Sequence, residues 1–234
     1  GLPANQLDTT YWLPWYNNVD LDTQLRIANV TGSQASVQIF IGGQEMPGSP
    51  VPLSGGQSKR LSFPGVNNGP VKIVSNHGVP IVAAERLIYK GAGGVNTSFS
   101  EMMALPKSQL DTTYWLPWYN NVELDTQLRF ANVSGSTATV HIFIGGQEMA
   151  GSPFALTPGQ SIRRSFAVDK GPVVIRSTNG AKIIASLRVL FQNGSTSTAF
   201  SELMGLPENQ LTTSYLFPYY NNVALNTQLR VGVP

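Results

Sequence analysis

Apolar and polar positions alternate in short runs along most of this chain. The run Leu25-Arg26-Ile27-Ala28-Asn29-Val30 is one. Ser36-Val37-Gln38-Ile39-Phe40-Ile41 is another and ends at Gly42-Gly43; Thr139-Val140-His141-Ile142-Phe143-Ile144 matches it and ends at Gly145-Gly146. A period of two sends successive side chains to opposite faces of a strand. A glycine pair after such a run predicts a hairpin, because glycine tolerates the positive φ of a tight turn. Further strands are predicted over 59–63, 71–75, 80–89 and 97–102, with partners over 163–166, 173–177, 182–191 and 198–204. Helical periodicity is nearly absent. Its best candidate, 100–105 with its copy at 201–206, is too short for more than a turn.

The strands repeat. Residues from Leu2 read LPANQLDTTYWLPWYNNVDLDTQLRIANV, those from Leu105 LPKSQLDTTYWLPWYNNVELDTQLRFANV, and those from Leu206 LPENQLTTSYLFPYYNNVALNTQLRVGVP. Tyr11, Tyr114 and Tyr215 match, at spacings of 103 and 101. The expected organisation is a first unit over 1–104, a second over 105–205, and over 206–234 a partial third copy, a closing or exchanged hairpin. Each full unit is long enough to enclose its own core. Seven or eight short strands per unit, with turn signals every ~8–12 residues, predict tandem antiparallel β-sandwiches of immunoglobulin-like size. A small barrel is the runner-up. The Cys–Trp–Cys signature of antibody domains is missing, so the expectation concerns architecture alone.

Aromatic residues concentrate in the repeated opening segment. Tyr11, Trp12, Trp15 and Tyr16 recur as Tyr114, Trp115, Trp118 and Tyr119, then as Tyr215, Phe217, Tyr219 and Tyr220. Pro14, Pro117 and Pro218 interrupt the run, so the strand is an edge, is broken by a bulge, or links two units. On a regular strand Tyr11 and Trp15 share one face, and Trp12 and Tyr16 the other. The Asn-Asn pair that follows suits a turn reaching left-handed φ/ψ. Aromaticity on both faces predicts contact between units, where such side chains dominate the energetics. These twelve residues are the candidate inter-unit contacts.

Composition narrows the setting. Charged residues are 12% of the chain, about half the usual share. A surface of Asn, Gln, Ser, Thr and Gly suits packing against other subunits or sugars. A net charge of +2, with no basic run, gives no reason to expect nucleic acid. No stretch approaches the ~18 apolar residues of a membrane span. There is no cysteine, which excludes thiolate metal sites and disulfides. The chain begins at Gly1 rather than Met, so either a leader has been removed or the chain is a fragment, and processing of that kind would suit an exported protein.

The chain offers little for catalysis, and no enzyme is expected. His77 and His141 are its two histidines, and neither has a second histidine nearby to serve a nucleophile. Glu45 and Glu148 recur beside the Gly-Gly turns. Glu101 and Glu202 recur with Arg86 and Arg188, which predicts ion pairs rather than a carboxylate pair for glycoside hydrolysis. Calcium is the weak metal candidate. Asp20 and Asp22, then Glu123 and Asp125, follow the Asn-Asn pairs, though without the spacing of the twelve-residue calcium loop. Of the sequons at Asn29, Asn96, Asn132 and Asn193, those at Asn96 and Asn193 lie in equivalent hairpin loops and are the candidates for glycosylation.

The segments YWLPWYNNVDLDTQLRIANV and GPVKIVSNHGVPIVAAERLIY resemble tandem β-sandwich repeats of secreted and cell-surface proteins of filamentous Chloroflexota-type bacteria. The resemblance covers essentially the whole chain. It implies an extracellular, non-catalytic setting and carries no functional residues across. The expectation is a structural protein of the cell exterior that joins other copies of itself head to tail, through the aromatic segments, into a filament or layer. The alternative is a carbohydrate-binding or adhesive surface module, with polysaccharide as partner.

Overall fold

The computed structural model of the chain describes residues 1–90, 94–193 and 196–234. Strand accounts for 51% of it, and the described residues contain no α-helix. The first unit opens with β1 (Thr10–Leu13), β2 (Tyr16–Asn17), β3 (Asp22–Asn29) and β4 (Ala35–Ile41). It continues with β5 (Gln44–Glu45), β6 (Val51–Leu53), β7 (Ser58–Leu61), β8 (Asn67–Asn68), β9 (Val71–Asn76), β10 (Ile81–Lys90) and β11 (Asn96–Met103). Then come β12 (Leu105–Pro106), β13 (Thr113–Leu116), β14 (Tyr119–Asn120), β15 (Asp125–Asn132), β16 (Ala138–Ile144) and β17 (Gln147–Glu148). The last are β18 (Phe154–Leu156), β19 (Ser161–Arg164), β20 (Asp169–Lys170), β21 (Val173–Ser177), β22 (Ile183–Asn193), β23 (Thr196–Met204) and β24 (Leu206–Pro207). The predicted Gly-Gly hairpins form, with φ of 59° and 80° at Gly42 and Gly43 and Ile41 opposite Gln44. Segments 100–105 and 201–206, the weak helix candidates, belong to strands instead.

Two six-stranded and two four-stranded antiparallel sheets result, with two two-stranded ribbons, β2-β8 and β14-β20. In the first unit the orders are β12-β1-β9-β4-β5, with β6 on β4, and β11-β10-β3-β7. The second unit repeats them as β24-β13-β21-β16-β17, with β18 on β16, and β23-β22-β15-β19. Each unit has one core cluster fed by both of its sheets, the first from Tyr11, Leu25, Ile39, Ile73 and Ile81, the second from Tyr114, Leu128, Ile142, Ile175 and Ile183.

Tandem immunoglobulin-like sandwiches were the expectation, and the sheet arrangement overturns it. The four small sheets are the blades of a four-bladed, propeller-like arrangement. The physical difference lies in which faces are dry. A sandwich keeps its outer faces wet. Here the second four-stranded sheet is covered on both faces: Leu128, Phe130 and Ile183 on one, Arg129, Ala131, Ile184, Ser186, Arg188 and Phe200 on the other are all buried. Regular short strands fit a sandwich, a barrel or a blade equally well. Only the stacking of sheets separates them.

The aromatic strand β1 is not an edge. It lies between β9 and β12, with Tyr11 opposite Ile73 and Trp12 opposite both Lys72 and Leu105. Pro14 ends it, and the chain turns there. The predicted face-sharing is therefore corrected. Tyr16 returns to the side of Tyr11, and both are fully buried in the core. The Asn-Asn turn is not left-handed either; among the described residues His77 is the one non-glycine with positive φ, 63°. Asn17 instead accepts the N–H groups of Val19 and Asp20 on its Oδ1, at 3.0 and 3.1 Å.

Two of the sequons have structural work. Asn29 and Asn132 are buried. Asn132 Nδ2 donates to the carbonyls of Ser136 and Leu156 at 2.7 and 2.9 Å, and its Oδ1 accepts Ser134 N–H at 2.9 Å. Asn132→Ala leaves the buried Leu156 carbonyl without its donor. The expected loss is about 2 kcal/mol, measurable by urea unfolding. An unchanged midpoint would show that these bonds contribute nothing net.

Candidate inter-repeat joint

One set of contacts fastens the first unit to the second. Trp15, beyond the Pro14 break, lies under the Arg129 guanidinium, 4.8 Å from ring centroid to Cζ. Its indole N–H donates to Asn67 Oδ1 at 2.8 Å, which fixes the ring. Ser161 Oγ donates to the Pro14 carbonyl at 2.6 Å. Gly69 makes this corner possible, since a Cβ there would stand 2.5 Å from Pro14 O and 2.9 Å from Trp15 Cα. Alongside, β12 of the second unit completes the sheet of the first, and Trp12 packs against the second core. Asp8 accepts the Ser108 N–H at 2.9 Å. Burial raises its carboxyl pKa, but the bonds from Ser108, Thr9 and Thr10 outweigh that and hold it below the usual range.

The four-stranded blades meet at the same joint. Ser98 Oγ and Ser100 Oγ accept the backbone N–H groups of Phe200 and Glu202, at 3.4 and 3.0 Å. Hydroxyls thereby close the free edge of β23. Tyr89 and Phe200 meet edge to face with centroids 6.1 Å apart. Glu85 is buried beside Glu202, Arg188 and Arg129. Burial, then the charge of Glu202, push its carboxyl well above the glutamate range, against the pull of both arginines. Burial, then Arg188, lower the pKa of the Arg129 guanidinium, which stays charged at any physiological pH.

The second joint copies the first. Arg230 of the third segment lies over Trp118 at 5.1 Å. Trp118 N–H donates to Asp169 at 2.7 Å, and Asp111 accepts the Asn209 N–H at 3.0 Å. Strand β24 pairs with β13 as β12 pairs with β1. Beyond Gln210 the third segment forms no strand. Phe217, Tyr219 and Leu216 are 70%, 79% and 94% exposed. An apolar cavity of about 230 Å³ opens between it and Trp115, Pro117 and Pro172.

The twelve aromatic candidates thus divide. Trp12, Trp15, Trp115 and Trp118 sit at the joints. Tyr11, Tyr16, Tyr114 and Tyr119 are buried inside their own units. Tyr215, Phe217, Tyr219 and Tyr220 are exposed. The expected ion pairs form, with Arg86 and Arg188 each 2.5 Å from Glu101 and Glu202. Sequence reasoning missed the joint roles of Arg129 and Glu85. The TQLR motif recurs in all three copies and carried a signal for the arginine; Glu85 does not recur, being matched by Leu187.

The other candidates are dispersed. Asp20 accepts from Asn17 Nδ2 at 3.2 Å, Glu123 from Asn120 at 3.5 Å, and Asp22 and Asp125 from Gln24 and Gln127. Among the described residues no three acidic or imidazole groups gather as a metal site would require. His141 Nδ1 lies 2.6 Å from Glu148 Oε1, where Gln38 meets Glu45 in the first unit at 3.1 Å, so imidazole and amide fill the same cross-strand seat. Asn96 is exposed; the side chain of Asn193 lies outside the described residues. No helix among the described residues is long and apolar enough to cross a membrane.

No family model matches this chain, and no curated protein does. Among solved structures, the apo form of Pleurotus ostreatus lectin aligns over 85% of this chain and 80% of its own, at 11% identity and a TM-score of 0.17. A likeness that slight carries no argument about fold or ligand.

Proposed function

We propose that the protein is a structural subunit that adds to other copies head to tail, as a filament or layer of the cell exterior. The supporting observation is the recurrence of one joint. Arg129 on Trp15 and Arg230 on Trp118 are the same contact made twice along one chain. A joint that binds one unit's end to the next unit's face is heterologous, and heterologous addition that does not close yields open polymers. The low charge content and the exposed aromatic third segment suit association. Sedimentation velocity and electron microscopy of the full chain over a concentration series are expected to show rods that lengthen with concentration. Monodisperse monomers throughout would sink the proposal.

Binding of polysaccharide is the second reading. Trp12, Lys72 and Phe40 form a row across β1, β9 and β4, with the ammonium 5.6 and 5.7 Å from the two rings. Sugars stack on such rows. Saturable quenching of tryptophan fluorescence by a soluble glycan, in protein that stays monomeric, would favour this reading.

A further inference from the structure

The first unit carries, unfilled, the face that the second unit uses to receive its neighbour. On the second unit, Arg129, Ser161 and Phe200 take Trp15, the Pro14 carbonyl and Tyr89. The matching positions on the first unit are Arg26, Ser58 and Phe99. A groove of about 400 Å³ opens there, lined by Arg26, Ala28, Ser58, Arg60, Val82 and Ala84 among others. The Arg26 Nε is buried without a partner, and Ser58 is exposed. Phe99 is 64% exposed, whereas its counterpart Phe200 is 7% exposed.

The second unit carries the complementary end. Phe191, which matches Tyr89, is 56% exposed, and Leu203, which matches Met102, is 51% exposed. Ser201 matches Ser100, whose hydroxyl takes a backbone N–H of the neighbouring blade. Trp118 is held by its own chain, through Arg230.

Resting on the structural reading above, we infer that the open face at Arg26, Ser58 and Phe99 is the seat for the second unit of another copy of this chain. Trp118 of one molecule stacks on Arg26 of the next, Ser58 donates to the Pro117 carbonyl, and Phe191 meets Phe99 as Tyr89 meets Phe200. Arg230 occupies in cis the place that Arg26 takes in trans. The third segment thus competes in cis for the Trp118 ring that the seat would take in trans. The intermolecular joint also differs chemically from the internal one. Leu187 stands where Glu85 faces the arginines, so the joint between molecules lacks the buried extra carboxylate.

The test uses the full chain and four proteins: wild type, Arg230→Ala, Phe99→Asp and Phe191→Asp. Both phenylalanines are largely exposed, so folding is expected to survive, and far-UV circular dichroism checks it. Arg230→Ala is expected to strengthen association about tenfold, the scale of a cation–π contact released from competition. Phe99→Asp and Phe191→Asp are each expected to be monomeric alone. Mixed, they retain one intact face and one intact end between them, and form heterodimers that grow no further. Assemblies that tolerate both substitutions would overturn the seat while leaving the structural reading in place. A mixture that stays monomeric, beside wild type that polymerises, would also overturn it. Monomers in every sample, Arg230→Ala included, would overturn seat and reading together.

Discussion

Tyr119→Ala is expected to cost about 3–5 kcal/mol, while Tyr220→Ala, at the same place in the third copy, falls within about 0.5 kcal/mol. Tyr119 is 1% exposed. Its ring fills the second core, its hydroxyl donates to Thr126 O at 2.9 Å, and it accepts Phe166 N–H at 2.8 Å. Truncation leaves a cavity of ring size and an orphaned amide. Tyr220 is 51% exposed, and its hydroxyl donates only to the local Thr227 carbonyl, at 3.1 Å. Chemical denaturation of the two variants separates them. Equal losses would mean that the third segment is buried in solution.

Arg188→Met is expected to cost about 3 kcal/mol or more, because it leaves Glu202 buried without its cation. The two side chains are 8% and 5% exposed, with N and O 2.5 Å apart. The matching pair Arg86–Glu101 is 32% and 46% exposed. Arg86→Met is therefore expected to cost under about 1 kcal/mol, as for pairs open to solvent. The double variant Arg188→Met with Glu202→Leu should recover most of the loss, since an apolar pair of similar volume suits a dry site. A double variant no better than the single would show that packing, not uncompensated charge, is responsible.

The same cluster gives a pH dependence. Glu85 holds its proton in the folded protein to a pH well above the unfolded value, chiefly through burial. Below the unfolded pKa both states are protonated and nothing is lost. Above it the unfolded chain alone releases a proton, so stability falls with rising pH until the folded carboxyl also ionises. Glu85→Gln should match wild type near pH ~4 and exceed it near pH ~7 in urea unfolding. A difference between the two that does not change with pH would remove Glu85 as the source.

Much of the local order was legible in the residues. The strands Asp22–Asn29, Ala35–Ile41 and Ala138–Ile144 follow the alternation, and the Gly42-Gly43 hairpin follows the glycine pair; short strands such as Val51–Leu53 and Phe154–Leu156 were not foreseen. The Arg86–Glu101 and Arg188–Glu202 pairs follow from recurrence. The four-bladed stacking was not legible, and of the joint only the tryptophans were, not the arginines laid over them. Phe99 and Phe200 occupy matching positions in nearly the same sequence, yet one is exposed and the other dry, because only the second has a neighbouring blade laid over it. Periodicity reports which side of a strand a residue takes. It does not report what stands opposite.

The three aromatic segments draw that line clearly. In every copy the threonine after the turn donates to an asparagine carbonyl, the asparagine Oδ1 takes the next N–H groups, and the tyrosine hydroxyl reaches the threonine carbonyl. Those bonds join residues within seven positions of each other, so the sequence alone sets them. The strand before the turn forms only where β9 or β21 lies alongside, and the third copy has neither. A strand's hydrogen bonds belong to its partner, so tertiary structure decides where these closely similar words become sheet and where they stay an open surface.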